Sequence, residues 1–249
     1  MKKIDKKTIL THILTGICII GVVYSSLKII EWKINTNKNK DIKEITQEAV
    51  TVIGNTPEEK KIIVDFKKLK KQNSDTIAYL KVNNTAVEYA VVKGTDNEYY
   101  LNHNFNKEYN IAGWIFADYK NNFDGNDKNI VIYGHNMQDG SMFASLKELL
   151  TNEWQKNENK QITLVTEKFT IKYEIFSSYI IDLEDYYITT NFQNNEAFRD
   201  FVNTIKNRTY YNYNVEVNES DNILTLSTCT ENGKNRIVIH AKQINLEEN

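Results

Sequence analysis

An apolar run at the N-terminus constrains this chain more than any other feature. Residues Thr8–Leu27 contain no formally charged side chain and are rich in Ile, Leu and Val. About 20 apolar residues in a helix cross the hydrocarbon core of a bilayer, so the run is just long enough for one span. The sequence therefore predicts one membrane anchor, residues 8–30, followed by a folded body outside the bilayer.

The charges on either side of this run predict its orientation. Four lysines lie within residues 1–7. Beyond the run, Lys28 and Lys33 are accompanied by an acidic residue, Glu31. By the positive-inside rule we expect a short cytoplasmic tail at residues 1–7, a single pass through the cell membrane and an extracellular body. A cleaved signal peptide is the alternative, but the nearest candidate cleavage site, Tyr24–Ser26, is poor.

Composition and cysteine content exclude several classes of protein. A net charge of -2 gives no general reason to expect a nucleic-acid partner. The sequence has neither a glycine-rich phosphate loop nor a Cys/His cluster, so we expect no metal and no other cofactor. Of the two cysteines, Cys18 lies in the apolar run, which leaves Cys229 as the only thiol of the body. A lone thiol outside the cell indicates a reactive role.

The body reads as a series of short strands with few helices between them. Helices are predicted at Ser141–Leu150 and Glu196–Asn207. This pattern favours a mainly β fold, an antiparallel barrel or sandwich, over a βαβ sheet. The predicted strands are Ile77–Val82, Ala86–Val92, Gly113–Ala117, Asn129–Tyr133, Gln161–Val165, Phe169–Ile181, Ile223–Ser227 and Arg236–Lys242.

Residues 31–73 are predicted to connect the anchor to the folded body, residues 74–249. Within them, residues 35–40 read as a polar spacer and Asp41–Ile53 as a short amphipathic helix. The run Thr56-Pro57-Glu58-Glu59 resembles the capped start of a second helix. That second helix would carry apolar residues on one face, namely Ile62, Ile63, Phe66 and Leu69.

Three side chains at strand ends are candidates for chemistry. Cys229 ends one predicted strand and Arg236 opens the next, so a hairpin could bring the guanidinium beside the sulfur and favour the thiolate. His135 directly follows an apolar strand, where it is placed for acid/base work. The competing histidines are His103, in a polar stretch, and His240, within a strand. Alone, a cysteine beside a strand is more often a buried, inert residue.

The motifs around these side chains resemble the sortase signature. Thr225-Leu226-Ser227-Thr228-Cys229, followed by Arg236 on the next strand, is joined upstream by Tyr133-Gly134-His135-Asn136. The resemblance extends over roughly residues 60–245. The stretch from Gly94 to His103 and the helix predicted at 196–207 resemble class B sortases in particular. The resemblance implies a closed β-barrel of about eight strands, with an N-terminal helical pair and a helix inserted between two late strands.

The resemblance also implies a reaction. Cys229 would be the nucleophile, His135 the general acid/base, and Arg236 the cation that stabilises the oxyanion or orients the substrate. The thiolate would attack the carbonyl of a Thr in a C-terminal sorting signal of a surface protein. An amine of a peptidoglycan precursor would then resolve the thioester, anchoring that protein to the cell wall. No metal or other cofactor is needed for these steps.

The residues implied to bind substrate are less specific. Ser227 resembles a position lining the peptide groove, and Asn97 and Leu101 resemble residues of the groove floor. Tyr187 and Ile188 resemble an aromatic–aliphatic pair on the loop that covers the substrate. For each of these five, plain packing or surface polarity explains the residue equally well.

Other functions remain open from the sequence alone. A pilin-polymerising sortase would use a lysine side chain of another subunit as the amine. A non-catalytic, membrane-anchored binding module would use Cys229 only as a structural residue. A papain-like or cell-wall hydrolase would usually carry its cysteine ahead of its histidine, whereas here His135 comes first. Glu231, two residues after the cysteine, is interpreted as a loop charge that tunes the site.

Overall fold

The computed structural model describes residues 5–54, 61–230 and 233–249, without the side chains of Lys6 and Cys229. Four α-helices are present in this part of the chain: α1 (Lys6–Gln47), α2 (Phe66–Gln72), α3 (Asn152–Gln155) and α4 (Asn195–Asn207). Short 3-10 helices span Tyr99–Leu101, Ala144–Leu150 and Tyr186–Ile188. The strands are β1 (Val50–Ile53), β2 (Lys61–Val64), β3 (Thr76–Val82), β4 (Glu88–Val92), β5 (Phe116–Ala117), β6 (Asn129–Tyr133), β7 (Gln161–Thr166), β8 (Phe169–Asp182), β9 (Ile223–Cys229) and β10 (Asn235–Glu248).

Eight of these strands close into a barrel in the order β10-β8-β7-β3-β4-β5-β6-β9. The prediction of a mainly β, closed barrel of about eight strands is confirmed, and the sandwich alternative is not. The barrel is not wholly antiparallel, because β4 pairs with β5, and β6 with β9, in the parallel sense. Parallel neighbours need a long crossover, and the chain between β6 and β9 contains β7, β8 and α4. Periodicity reports the faces of a strand and not its neighbours, so the sequence did not reveal these pairs.

The inserted helix α4 covers the outside of the barrel beside the strands that carry the candidate site. Asn194 caps it by accepting a hydrogen bond from the Ala197 amide at 2.9 Å. The buried face of α4 carries Phe198, Phe201, Val202 and Ile205, which pack in one cluster with residues of β8, β9 and β10. This confirms the predicted helix between two late strands.

The N-terminal part differs from the sequence-based prediction. Residues 35–40 are not a spacer, because they continue α1 without a break. The predicted helix at Asp41–Ile53 ends with α1, and its last residues form β1, which pairs with β2. Both strands are rich in β-branched residues, whose side chains pack well on a pleated surface. The helix predicted at Asp41–Ile53 therefore extended too far toward the C-terminus.

The second predicted helix is also shorter than expected. Ile62 and Ile63 lie in β2, and only Phe66 and Leu69 lie in α2. Asp65 caps α2 by accepting a hydrogen bond from the Lys68 amide at 2.9 Å. The predicted cap at Thr56–Glu59 lies outside the described residues.

Helix α1 has an exposed apolar part and a docked C-terminal part. Its apolar window is long and hydrophobic enough to cross a membrane, and none of that window is buried. Near the other end, Asn39 and Ile42 are buried against the body. The Lys43 ammonium lies 4.1 Å from the Tyr89 ring centroid and donates to the Ala86 carbonyl at 3.0 Å. The helix is therefore joined to the barrel by specific contacts.

Candidate active site

The register of three neighbouring strands brings the candidate residues to one end of the barrel. Tyr133 and Ser227 are the last registered pair of the parallel strands β6 and β9. His135 and Cys229 each lie two residues beyond that pair, so parallel chains carry both to the same edge. On the other side of β9, Arg236 is the antiparallel partner of Cys229. The three predicted residues thus follow one another across β6, β9 and β10.

The backbone around His135 is fixed by close packing. A Cβ atom at Gly134 would lie 2.4 Å from Ile115 Cδ1 and 2.9 Å from Phe143 Cγ, so only glycine fits where β6 ends. The Phe143 amide donates to the His135 carbonyl at 2.9 Å. Ile115 and Phe143 can therefore pack against the backbone where β6 ends, and the Phe143 hydrogen bond helps to hold His135 in place.

The His135 imidazole is oriented by a backbone carbonyl. Its Nε2 lies 2.7 Å from the Leu101 carbonyl oxygen. A carbonyl oxygen can only accept, so the neutral imidazole must carry its proton on Nε2. Nδ1 is then the acceptor nitrogen of the neutral ring and the one available for proton transfer.

The Arg236 guanidinium is held at the turn between β9 and β10. Its Nη1 donates to the carbonyls of Gly233 and Asn235, at 3.2 and 3.1 Å. Arg236 is half-buried, and its described contacts use a single nitrogen of the planar fork. The thiol of Cys229 and all of Glu231 lie outside the described part of the chain. For Cys229 the structure describes the backbone position only.

Asn97 and Leu101 lie on the loop whose Leu101 carbonyl contacts His135, and they differ in exposure. Asn97 is half-buried, donating from Nδ2 to Asp118 Oδ2 at 2.8 Å and accepting from the Tyr119 amide at 3.1 Å. The Leu101 side chain is 43% exposed, while its carbonyl holds His135. Their predicted role in substrate binding stays a prediction, with Leu101 offering an accessible aliphatic surface.

Tyr187, Ile188 and Ser227 lie below the surface of the same region. Tyr187 and Ser227 are each 3% exposed, and their hydroxyl oxygens lie 3.1 Å apart. Ile188 is half-buried and packs against the cluster between α4 and the barrel. The structure links the 3-10 helix at Tyr186–Ile188 to β9 through these contacts, and the roles of the three residues toward substrate stay predictions.

Sequence reasoning missed Asp118. This carboxylate is 2% exposed and accepts hydrogen bonds from Asn97, from the Tyr133 hydroxyl at 2.8 Å and from the Lys120 amide at 2.9 Å. Burial, together with the negative charge of Asp118, raises the pKa of Tyr133 above its usual range. The sequence feature that could have indicated Asp118 is its position as an acidic residue directly after the buried strand β5. Asp118 joins the end of β6 to the loop that carries Asn97.

The other two histidines of the body have different surroundings. His240 is fully buried, with Nδ1 2.8 Å from the Thr225 hydroxyl and Nε2 2.9 Å from the Tyr179 hydroxyl. Burial lowers the pKa of His240 to about 3, so the ring is neutral at physiological pH. His103 stacks on Tyr99 with 4.0 Å between ring centroids. His135 is the histidine that the β6–β9 register places beside Cys229.

Comparisons with known proteins show which family this chain resembles. A family model described as a sortase domain matches residues 80–244. Sortase B of Listeria monocytogenes is 34% identical over 241 residues, which cover 94% of this chain and 95% of that protein. The crystal structure of Clostridium perfringens sortase B has a TM-score of 0.69 and 38% identity, covering 73% of this chain and 100% of that one. That of Bacillus anthracis sortase B has a TM-score of 0.73 and 30% identity, covering 84% and 98%.

The family match and the structural neighbours confirm the resemblance that the sequence motifs indicated. They also confirm an enzyme in preference to a non-catalytic binding module. By its barrel, its motifs and its relatives, this chain belongs to the sortase family of cysteine transpeptidases, as a class B member.

Proposed function

We propose that this sortase uses Cys229, His135 and Arg236 to cut a C-terminal sorting signal after Thr and to transfer the acyl group to a cell-wall amine. The observation that carries the proposal is the strand register, because Arg236 pairs with Cys229 and His135 lies two residues beyond the end of β6, the parallel neighbour of β9. His135 and Cys229 lie far apart in the sequence, so sequence separation gives no other reason for these two residues to meet.

The first half of the reaction forms a thioester. His135 Nδ1 accepts the thiol proton, and the thiolate adds to the carbonyl carbon of the substrate Thr. The planar Arg236 fork, held at the turn beside Cys229, stabilises the negative charge that develops on the carbonyl oxygen. Collapse of the adduct breaks the peptide C–N bond, and His135 returns its proton to the leaving amine.

The second half releases the product. An amine of the peptidoglycan precursor loses a proton to His135 and attacks the thioester, and the Cys229 sulfur leaves as thiolate. Because His135 holds its Nε2 proton against the Leu101 carbonyl throughout, one nitrogen, Nδ1, serves both halves. Asn97, Leu101, Tyr187, Ile188 and Ser227 are the proposed substrate contacts.

We also propose that α1 anchors the enzyme in the cell membrane with the N-terminus in the cytoplasm and the barrel outside. The exposed apolar window of α1 supports a membrane span, and the lysines before it support this orientation. An extracellular barrel would meet both proposed partners, the sorting signal of a surface protein and the amine of the cell-wall precursor. Class B membership favours anchoring of surface proteins over pilin polymerisation.

The test uses the full chain in detergent and a library of fluorogenic pentapeptides containing Pro and Thr. We expect cleavage after Thr, a covalent mass adduct on the protein, and transfer of the acyl group to added amines in preference to water. Cys229→Ala should abolish the adduct and the cleavage. Cys18→Ala is the matched control, because Cys18 is exposed on α1 and far along the chain from the site. Adduct formation on the Cys229→Ala protein would contradict the proposal.

A further inference from the structure

Asn39 is a buried polar residue in a part of α1 that the sequence marked as a spacer. It is 3% exposed. Its Nδ2 donates to the Gly113 carbonyl at 3.1 Å, and its Oδ1 accepts from Asn110 Nδ2 at 2.9 Å. The same Asn110 nitrogen donates to the Asn35 carbonyl at 3.0 Å. A buried amide without partners is costly, so these contacts fix both the helix and the segment 110–113 that it touches.

Residues 110–114, which include the Asn39 partners, pack directly against the backbone of residues 100–102. Gly113 has a φ of +54°, and a Cβ atom there would lie 2.3 Å from the Tyr100 carbonyl oxygen and 2.7 Å from that of Leu101. The Trp114 amide donates to the Tyr100 carbonyl at 3.0 Å, and the Asn110 amide donates to the Asn102 carbonyl at 2.9 Å. The backbone at 100–102 cannot shift unless the 110–114 segment shifts with it.

That backbone includes the carbonyl that holds His135. The Leu101 oxygen lies 2.7 Å from His135 Nε2 and thereby sets both the ring orientation and the nitrogen that carries the proton. Asn39 thus reaches the imidazole through two backbone contacts, Gly113 against Leu101 and Leu101 against His135. Elsewhere on α1, Lys38 and Lys43 make polar contacts with Glu108, Ala86 and Tyr89 of the body.

We propose that Asn39 is a positioning residue, through which the anchor helix holds the Leu101 carbonyl and so keeps His135 Nδ1 available for proton transfer. This inference rests on the proposed role of His135 as the acid/base. It implies that α1, besides anchoring the protein, helps to orient a residue of the site.

The test uses the full chain in detergent, with Asn39→Ala, Asn39→Asp and Asn37→Ala variants. Asn37 is an exposed asparagine on the same helix and serves as the matched control. Asn39→Asp keeps the size and the acceptor for Asn110 but cannot donate to the Gly113 carbonyl, so it tests that contact even if the alanine variant fails to fold. Displacing a group that must be oriented for reaction lowers kcat, and we expect a loss of about tenfold in both Asn39 variants with KM within about twofold. The Asn37 variant should match the wild type.

A second readout separates positioning from general stability. The chain has four histidines, so ¹⁵N-histidine NMR gives few signals, and His135→Gln identifies the one of interest. We expect wild-type His135 to carry its proton on Nε2 and the Asn39→Asp variant to show a mixture of the two tautomers. A lower Tm with unchanged kcat and tautomer in both Asn39 variants would overturn the inference and leave the proposed function standing. Full activity of His135→Ala would overturn the proposed function instead.

Discussion

His135 and His240 belong to neighbouring regions of one barrel and have opposite environments. His135 stands just beyond the end of β6, half-buried, with one described hydrogen bond to a carbonyl. His240 lies inside β10, fully buried, with both ring nitrogens against hydroxyl groups. The position of a histidine along a strand therefore decides what its ring can do. The strand interior uses the ring to satisfy buried hydroxyls, and the strand end leaves a nitrogen for chemistry.

Removing the two imidazoles should separate activity from stability. His135→Ala should lower kcat/KM for peptide cleavage by about 10³-fold, because the proposed general acid/base is lost. Its Tm should change little, since the ring is half-buried. The paired measurement is steady-state cleavage and thermal melting of the same preparations. A His240→Ala protein that loses as much activity per folded molecule as His135→Ala would break the comparison.

The cation at the edge of the barrel should matter as much through its shape as through its charge. Arg236→Lys should lower kcat by about 10²-fold, because a point charge cannot replace the planar fork opposite Cys229. Arg199→Lys is the control, because Arg199 is exposed and pairs with Glu196 on α4. It should leave kcat unchanged. Equal turnover of Arg236→Lys and wild type would remove the oriented guanidinium from the mechanism.

The buried histidine should show its effect in unfolding. His240→Ala should lower the free energy of unfolding by about 2–4 kcal/mol, since it leaves a cavity and two hydroxyls, those of Thr225 and Tyr179, without their partner. Denaturant titration of both proteins measures this loss. A change within experimental error would show that the ring contributes nothing to the barrel interior.

The pH dependence of stability should sharpen the same contrast. Burial lowers the pKa of His240 in the folded state from an ordinary value of 6.5 to about 3. Between these values the unfolded chain binds the proton and the folded chain does not, so the stability contribution is complete above pH 6.5 and is lost as pH falls toward 3. Urea titrations from pH 4 to 8 should show a steeper loss for wild type than for His240→Gln. Parallel curves would contradict the lowered pKa.

The smallest expected effect concerns the buried carboxylate of Asp118. Asp118 accepts from Asn97, Tyr133 and the Lys120 amide, and the amide of Asp118→Asn cannot accept on both sides. Asn97 should lose its fixed orientation, raising KM for the peptide by about threefold to tenfold. Asp124→Asn, at an exposed position, is the control and should leave KM unchanged. A KM equal to that of wild type in Asp118→Asn would show that the orientation of Asn97 does not matter.

The sequence predicted the barrel and the strand ends well for a physical reason. Asn129–Tyr133 was predicted with the bounds that the structure has, because a continuous apolar run bounded by polar residues is a buried strand. The positions of His135 and Arg236 at strand ends followed from the same pattern. The parallel pairing that brings β6 beside β9 involves residues about a hundred positions apart, which no local pattern reports.

The anchor end of the molecule could not be predicted in the same way. Nothing in residues 35–40 distinguishes a polar spacer from a polar helix face whose Asn39 is buried, because its partner Gly113 lies 74 residues later. Asp118 was not predicted for a similar reason, since two of its three donors, Asn97 and Tyr133, come from other segments of the chain. In both cases a polar side chain gains its meaning from tertiary contacts.

The central claim is that the register across β6, β9 and β10 assembles one reacting centre. A crystal structure of the protein acylated by a peptidyl-Thr inhibitor tests this most directly. In that structure we expect a thioester-like bond to Cys229 Sγ. We also expect His135 Nδ1 within hydrogen-bonding distance of the sulfur, and Arg236 donating to the acyl oxygen. An adduct on Cys229 with His135 and Arg236 both turned away from it would contradict the account.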